Sequence, residues 1–154
     1  MAEFHPCVVI PIYNHKKTIA DVVASLAHLK IPYLIVDDAS NVETQKILAE
    51  LEQTDSNVEI LKRTENGGKG AAVTTGLLTA YKKGFTHALQ VDADGQHLAS
   101  DAVIFLEAAK NQPESLVLGQ PYFDESAPKS RVYGRKITQF IVWLETFSFE
   151  IKDT

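Results

Sequence analysis

Cysteine occurs once in the 154 residues, as Cys7, which excludes an intrachain disulfide framework and a cysteine-rich zinc site. It sits inside an apolar run, the setting of a buried packing residue rather than a reactive thiol. Positive charge is also scarce. Fifteen Lys and Arg stand against twenty Asp and Glu, a net charge of −5, so a general nucleic-acid binder is excluded. An acidic chain binds an anionic ligand only through a local basic patch, helix N-termini or a metal. No uninterrupted apolar stretch approaches the roughly 18 residues of a membrane span. The opening Met1-Ala2-Glu3-Phe4-His5-Pro6 lacks both the basic region and the apolar segment of a signal peptide. The expected location is therefore cytoplasmic, with room for peripheral contact at the inner face of a membrane. Repeats, low-complexity tracts and linkers are missing too, so residues 1–154 are expected to form one domain.

Hydrophobic residues make up 45% of the chain and charged residues 23%, enough to bury a real core. They are arranged as short β-branched runs alternating with stretches of helical period. Strands are expected at Cys7–Ile12, Tyr33–Val36, Val58–Leu61, Ala88–Val91 and Ser115–Leu118. Helices are expected over 16–29, 42–54, 68–83 and 100–111, with Val73, Gly76, Leu77, Ala80 and Tyr81 as the inward stripe of the third. This order predicts an α/β fold, three layers α/β/α around a mostly parallel sheet. In such sheets ligands bind at the carboxyl ends of the strands, near the point where strand order reverses.

Four polar clusters follow strands directly and would share that rim. Asp92-x-Asp94 offers two hard oxygen ligands, and Gln96 a third, which suits Mg²⁺ or Mn²⁺ shared with a diphosphate. The competing reading is an Asp-Gly turn with solvated carboxylates. Asp37-Asp38 could accept from ribose hydroxyls or a base N–H, or could merely order the loop before an N-cap at Ser40 or Asn41. Asn66-Gly67-Gly68-Lys69-Gly70 opens the third helix, where backbone N–H groups favour an anion; a tight turn is the alternative. Lys69 would meet a phosphate or a neighbouring carboxylate. Pro11 and Tyr13, after the first strand, could give a stacking surface for a base, or lie at the core edge. Further along, Lys129–Leu144 carries Lys129, Arg131, Arg135 and Lys136 and no acid. That stretch is either a solvated helix face or a rim receiving phosphate or anionic headgroups.

Taken in order, these clusters resemble the family 2 glycosyltransferases of the GT-A fold, and most of all bacterial members related to dolichyl-phosphate mannose synthase and other polyprenyl-phosphate sugar transferases. Val8-Val9-Ile10-Pro11-Ile12-Tyr13-Asn14 resembles the family's opening strand and nucleotide-contacting turn. Val36-Asp37-Asp38-Ala39-Ser40 is similar to its acidic motif, and Asn66-Gly67-Gly68-Lys69-Gly70-Ala71-Ala72 to the loop before its third helix. Val91-Asp92-Ala93-Asp94-Gly95-Gln96-His97 resembles its metal and diphosphate motif.

The resemblance implies an inverting, metal-dependent transferase using a nucleotide-diphosphate sugar. Its acceptor would be a polyprenyl phosphate or a cell-envelope glycan or lipid. Pro11, Tyr13, Asn14, Asp37, Asp38, Lys69 and Asp92 would bind the donor; Asp92, Asp94 and Gln96 would hold the metal; Arg131 and Arg135 would meet acceptor phosphate. Asp153 is similar to an active-site Asp that in the family opens a longer motif, so the resemblance also implies a C-terminally truncated chain. A receiver-like Mg²⁺-binding signalling domain and a catalytically incomplete nucleotide-sugar-binding fragment are the alternatives.

Overall fold

The computed structural model describes residues 3–96 and 99–119. Four strands, β1 (Pro6–Ile12), β2 (Tyr33–Asp37), β3 (Val58–Lys62) and β4 (His87–Gln90), alternate with helices α1 (Ile19–Leu26), α2 (Val42–Thr54), α3 (Gly68–Lys82) and α4 (Ala99–Asn111). All strand pairs are parallel, in the order β3-β2-β1-β4. The three-layer α/β/α expectation is met.

The strand order explains the layers. From β1 to β2 to β3 the chain steps one way along the sheet, so right-handed crossovers place α1 and α2 on the same face. It then crosses back to β4 at the opposite edge, which throws α3 onto the other face. Side chains agree with this geometry. Val8, Ile10, Ile12, Tyr33 and Ile35 pack with Ile19, Val22, Val23, Leu26 and Leu48 of α1 and α2, and with Ala102 of α4. Cys7, Val9, Leu34 and Val36 pack with Ala72 and Ala80 of α3. Lying between two neighbours and two helical layers, β1 is buried along all seven residues, which is why its sequence is apolar without alternation.

Pro11 is tolerated in this central strand because of direction. Val8 N donates to Pro32 O on the β2 side, whereas Val9 O accepts from Val91 N on the β4 side. Pro11 shares the orientation of Val9, so its missing N–H faces the side on which β4 has already ended, Gln90 lying opposite Val9.

Three expectations need correction. The first helix is shorter than 16–29: α1 begins at Ile19 and passes into a 3₁₀ turn, Ala27–Leu29, closed by Lys30 at φ 52°. The inward stripe of α3 is Ala72, Gly76 and Ala80, not the larger residues, and Leu77 and Tyr81 are 43% and 80% exposed. A Cβ on Gly76 would stand 2.4 Å from Val9 Cγ1 and 3.1 Å from Val36 Cγ2; the helix lies too close to the sheet for a bulkier stripe. Finally, Ser115–Leu118 is not a strand, and Leu116 is 84% exposed. An apolar run becomes a strand only when a sheet edge pairs with it, and among the described residues the ladder ends at β4.

Candidate functional site

Register places the strand ends on one rim. Ile12, Asp37 and Lys62 lie side by side at the carboxyl edge, and the segment after Gln90 rises beside β1 from the level of Val9. Strand order reverses between β1 and β4, so the loops after these two strands flank the crevice where α/β sheets bind ligands.

The four loops are tied to one another in a ring. Between the first and second, Asn14 N donates to Ser40 Oγ (3.1 Å) and Asn41 N to Asn14 Oδ1 (2.8 Å). Both loops turn through left-handed residues, Asn14 at φ 60° and Ala39 at φ 59°. Asn41 also caps α2, its Oδ1 accepting from Thr44 N and Thr44 Oγ1, each at 2.9 Å. Lys16 and Glu43 form an exposed ion pair across the same two loops, and the Lys16 ammonium holds the Glu43 carboxyl below its ordinary range.

The second and third loops meet at Asp38. This carboxylate, 2% exposed, accepts from Arg63 Nη1 at 2.5 Å, Gly67 N at 3.1 Å and Gly68 N at 2.8 Å. A Cβ on Gly67 would lie 2.7 Å from Arg63 Nη1, so glycine is what admits the guanidinium there. Third and fourth loops join through Lys69 Nζ and Asp92 Oδ2, 2.7 Å apart; Gln90 Nε2 also donates to Asp92 Oδ1 at 3.3 Å. The ring closes between the fourth loop and the first, where Thr18 Oγ1 donates to Ala93 O at 2.5 Å.

Several expected ligand groups are thus already engaged within the protein. Asp37, 1% exposed, accepts from Ser40 N at 2.9 Å and braces its own loop. The N–H groups of Gly67 and Gly68, expected to face an anion, face Asp38. Pro11 is buried within β1 and has no open face to offer a base. Asn14 links two loops. Lys69 took the carboxylate of its two expected partners. Tyr13 is 49% exposed, and Asp92 and Asp94 are half-buried, Asp92 held by Lys69 and Gln90.

Asp94 Oδ1 accepts from Gln96 N at 3.0 Å, across a turn that Gly95 makes at φ 76°. No cluster of three or more His, Cys, Asp or Glu occurs among the described residues. A cation here would therefore take two carboxylates and the Gln96 amide oxygen from the protein and complete its shell with ligand oxygen. That all-oxygen donor set fits Mg²⁺ or Mn²⁺. Arg131, Arg135, Asp153 and the basic segment around Lys129–Leu144 lie outside the described residues.

Arg63 and Thr18 were not singled out by the sequence. Arg63 ends up beside Asp38 because β3 pairs with β2 in register, Lys62 opposite Asp37. Thr18 falls inside the helix expected over 16–29, and only the fold brings it to Ala93, 75 positions away.

The Glycosyl transferase family 2 model matches residues 7–154. The UDP-N-acetylglucosamine–dolichyl-phosphate N-acetylglucosaminyltransferase of Methanococcus voltae is 33% identical over 153 residues, covering 88% of this chain and 61% of that protein. The polyprenol monophosphomannose synthase of Mycolicibacterium smegmatis is 30% identical over 118 residues, covering 75% of this chain and 44% of that one. The chain thus spans less than two thirds of the length of either relative. Among solved structures, a mannosyltransferase from Pyrobaculum calidifontis in complex with GDP-Man and Mn²⁺ aligns with a TM-score of 0.48 and 22% identity, over 58% of this chain and 27% of that one. No helix of the described residues is long and apolar enough to cross a membrane.

Proposed function

The chain belongs to glycosyl transferase family 2, and from that membership we propose that it binds a nucleotide-diphosphate sugar at the β1/β4 crevice of a GT-A-type domain spanning 1–154. The observation that carries the reading is the position of Asp92 and Asp94, separated by one residue on the loop that follows the reversal strand. Tyr13 and the Asp38–Arg63 pair stand towards the nucleoside end. A carboxylate offers about four acceptor positions; Asp38 uses three on protein donors, so its part is chiefly to set Arg63 and the loop around it.

Asp92, Asp94 and Gln96 would hold the divalent ion, which when bound neutralises charge growing on the departing diphosphate. Lys69, already beside Asp92, brings a second positive charge to the same phosphates. The relatives' names point to lipid-phosphate acceptors. Such an acceptor already carries an anionic oxygen and needs no strong base. That oxygen would bond to the anomeric carbon as the carbon–oxygen bond to the diphosphate breaks, inverting the centre in one step. Asp153 becomes the general base if the acceptor is instead a hydroxyl, and Arg131 and Arg135 are the acceptor-side cations. A lipid acceptor would bring the protein to the membrane surface from the cytoplasmic side. The receiver-domain reading is disfavoured because Asp37 ends the second strand, Asp38 directly follows it, and both are buried in protein hydrogen bonds.

Calorimetric titration of UDP-GlcNAc and GDP-Man, with and without Mn²⁺, tests the proposal. Metal-dependent binding of at least one is expected, with Asp94→Ala weakening it at least tenfold. Full retention of binding in that variant would reject the metal assignment.

A further inference from the structure

Thr18 stands at the N-cap of α1, where a threonine ordinarily accepts from the helix's own N–H groups. Here its side chain makes no capping hydrogen bond. The hydroxyl instead donates to Ala93 O, at 2.5 Å and across 75 positions of sequence. Ala93 is the residue between Asp92 and Asp94, and its carbonyl belongs to the peptide that leads into Asp94.

The same first turns of α1 hold this loop by apolar contact as well. Ala93 is 3% exposed, in one cluster with Ile19 and Val22, and a Cβ at Gly95 would meet Val22 Cγ2 at 3.8 Å. Apolar packing fixes how near the loop lies to α1 but leaves a peptide plane free to tilt. A hydrogen bond to the carbonyl removes that freedom. We propose that Thr18 is a positioning residue, its hydroxyl orienting the Ala93–Asp94 peptide so that the Asp92 and Asp94 carboxylates are aimed at a shared divalent cation before it binds. This rests on the metal reading above. Groups that orient ligands without touching the metal typically change its affinity by about 10–100-fold when lost.

The test is Mn²⁺ binding to the full chain followed by electron paramagnetic resonance, in the presence of GDP and, separately, UDP. Thermal unfolding checks that each variant is folded. Thr18→Val keeps the shape and deletes the hydroxyl; it should raise the Mn²⁺ dissociation constant about tenfold or more. Thr18→Ser keeps the hydroxyl and should stay within about threefold of the parent, a rescue that loss of packing alone would not give. If Thr18→Val fails to fold, Thr18→Ala removes the same group and carries the same expectation. Parent-like Mn²⁺ affinity in the hydroxyl-free variant, or a Ser variant as weak as Val, overturns the inference. Asp94→Ala separates the two levels. If it abolishes Mn²⁺ binding while the hydroxyl-free variant binds normally, only the role of Thr18 falls; if it binds Mn²⁺ like the parent, the metal reading itself falls.

Discussion

Asp38 is the residue on which the second and third loops depend, since one nearly buried carboxylate satisfies a guanidinium and two backbone N–H groups. Asp38→Ala would take this acceptor from Arg63 and Gly67, Gly68 N keeping Asn66 Oδ1 at 3.1 Å, and losing hydrogen bonds to a charged group costs about 1.5–3 kcal/mol. A fall of about that size in urea unfolding free energy is expected, and a change below about 0.5 kcal/mol would show that the loops hold without it. Cys7 gives a pH-dependent case. Burial pushes its thiol from 9.0 to about 11, so at pH 8 it is protonated and enclosed on the α3 face of the sheet. Native protein should resist thiol-specific labelling at pH 8 and react only as it unfolds. In the unfolded chain the thiol ionises near 9, whereas the folded chain keeps it neutral to about 11. Its contribution to stability is therefore complete below pH 9 and lost as pH rises towards 11, which unfolding curves across that range would register. At this scale the sequence shows which residue types sit at the rim but not whom they meet. Asp38, Lys69 and Asp92 were visible as candidates; Arg63 and Thr18 became meaningful only through register and crossover.

Elements were read more easily than contacts. β2, β3 and α2 fall within a residue of expectation because β-branched runs and helical spacing are local signals. The failures came where a non-local surface decides. The stripe expected on α3 included Gly76 and Ala80 but also Val73, Leu77 and Tyr81, whereas the helix sits so close over Val9 and Val36 that its buried residues are Ala72, Gly76 and Ala80. That closeness makes a sign-reversing test. In an isolated helix Gly→Ala is favourable by about 1 kcal/mol. In this one, Gly76→Ala would drive a methyl into two fully buried valines, and a net loss of about 1–3 kcal/mol is expected from overpacking. Chemical denaturation measures it; a stabilised variant would mean the helix moves off the sheet freely. The run Ser115–Leu118 teaches the same lesson from the other side, being apolar and β-prone yet without a partner strand among the described residues.

For the molecule as a whole, the fold does its work by topology. A single reversal of strand order, β3-β2-β1-β4, sends α3 to the far face and sets the loops of β1 and β4 beside a crevice. Around it the four loops hold one another in a closed circuit of ion pairs and neutral hydrogen bonds, the link between the fourth loop and the first resting on the Thr18 hydroxyl. The architecture and the rim were legible from alternation alone, because a parallel sheet places every strand's carboxyl end together. The circuit was not, since each link joins segments far apart in the chain.

One arrangement in that circuit bears on how the proposed donor would be gripped. The start of α3, where a phosphate would ordinarily be welcomed by free amides, is already plugged by a side chain of the protein, Asp38. The Gly67 and Gly68 amides are thus not the groups that would retain a pyrophosphate once the cation has gone. Chelation with excess EDTA should therefore weaken donor binding sharply without bringing it down to that of the bare nucleoside, because Lys69 stays beside Asp92, and equilibrium dialysis against uridine or guanosine would make the comparison.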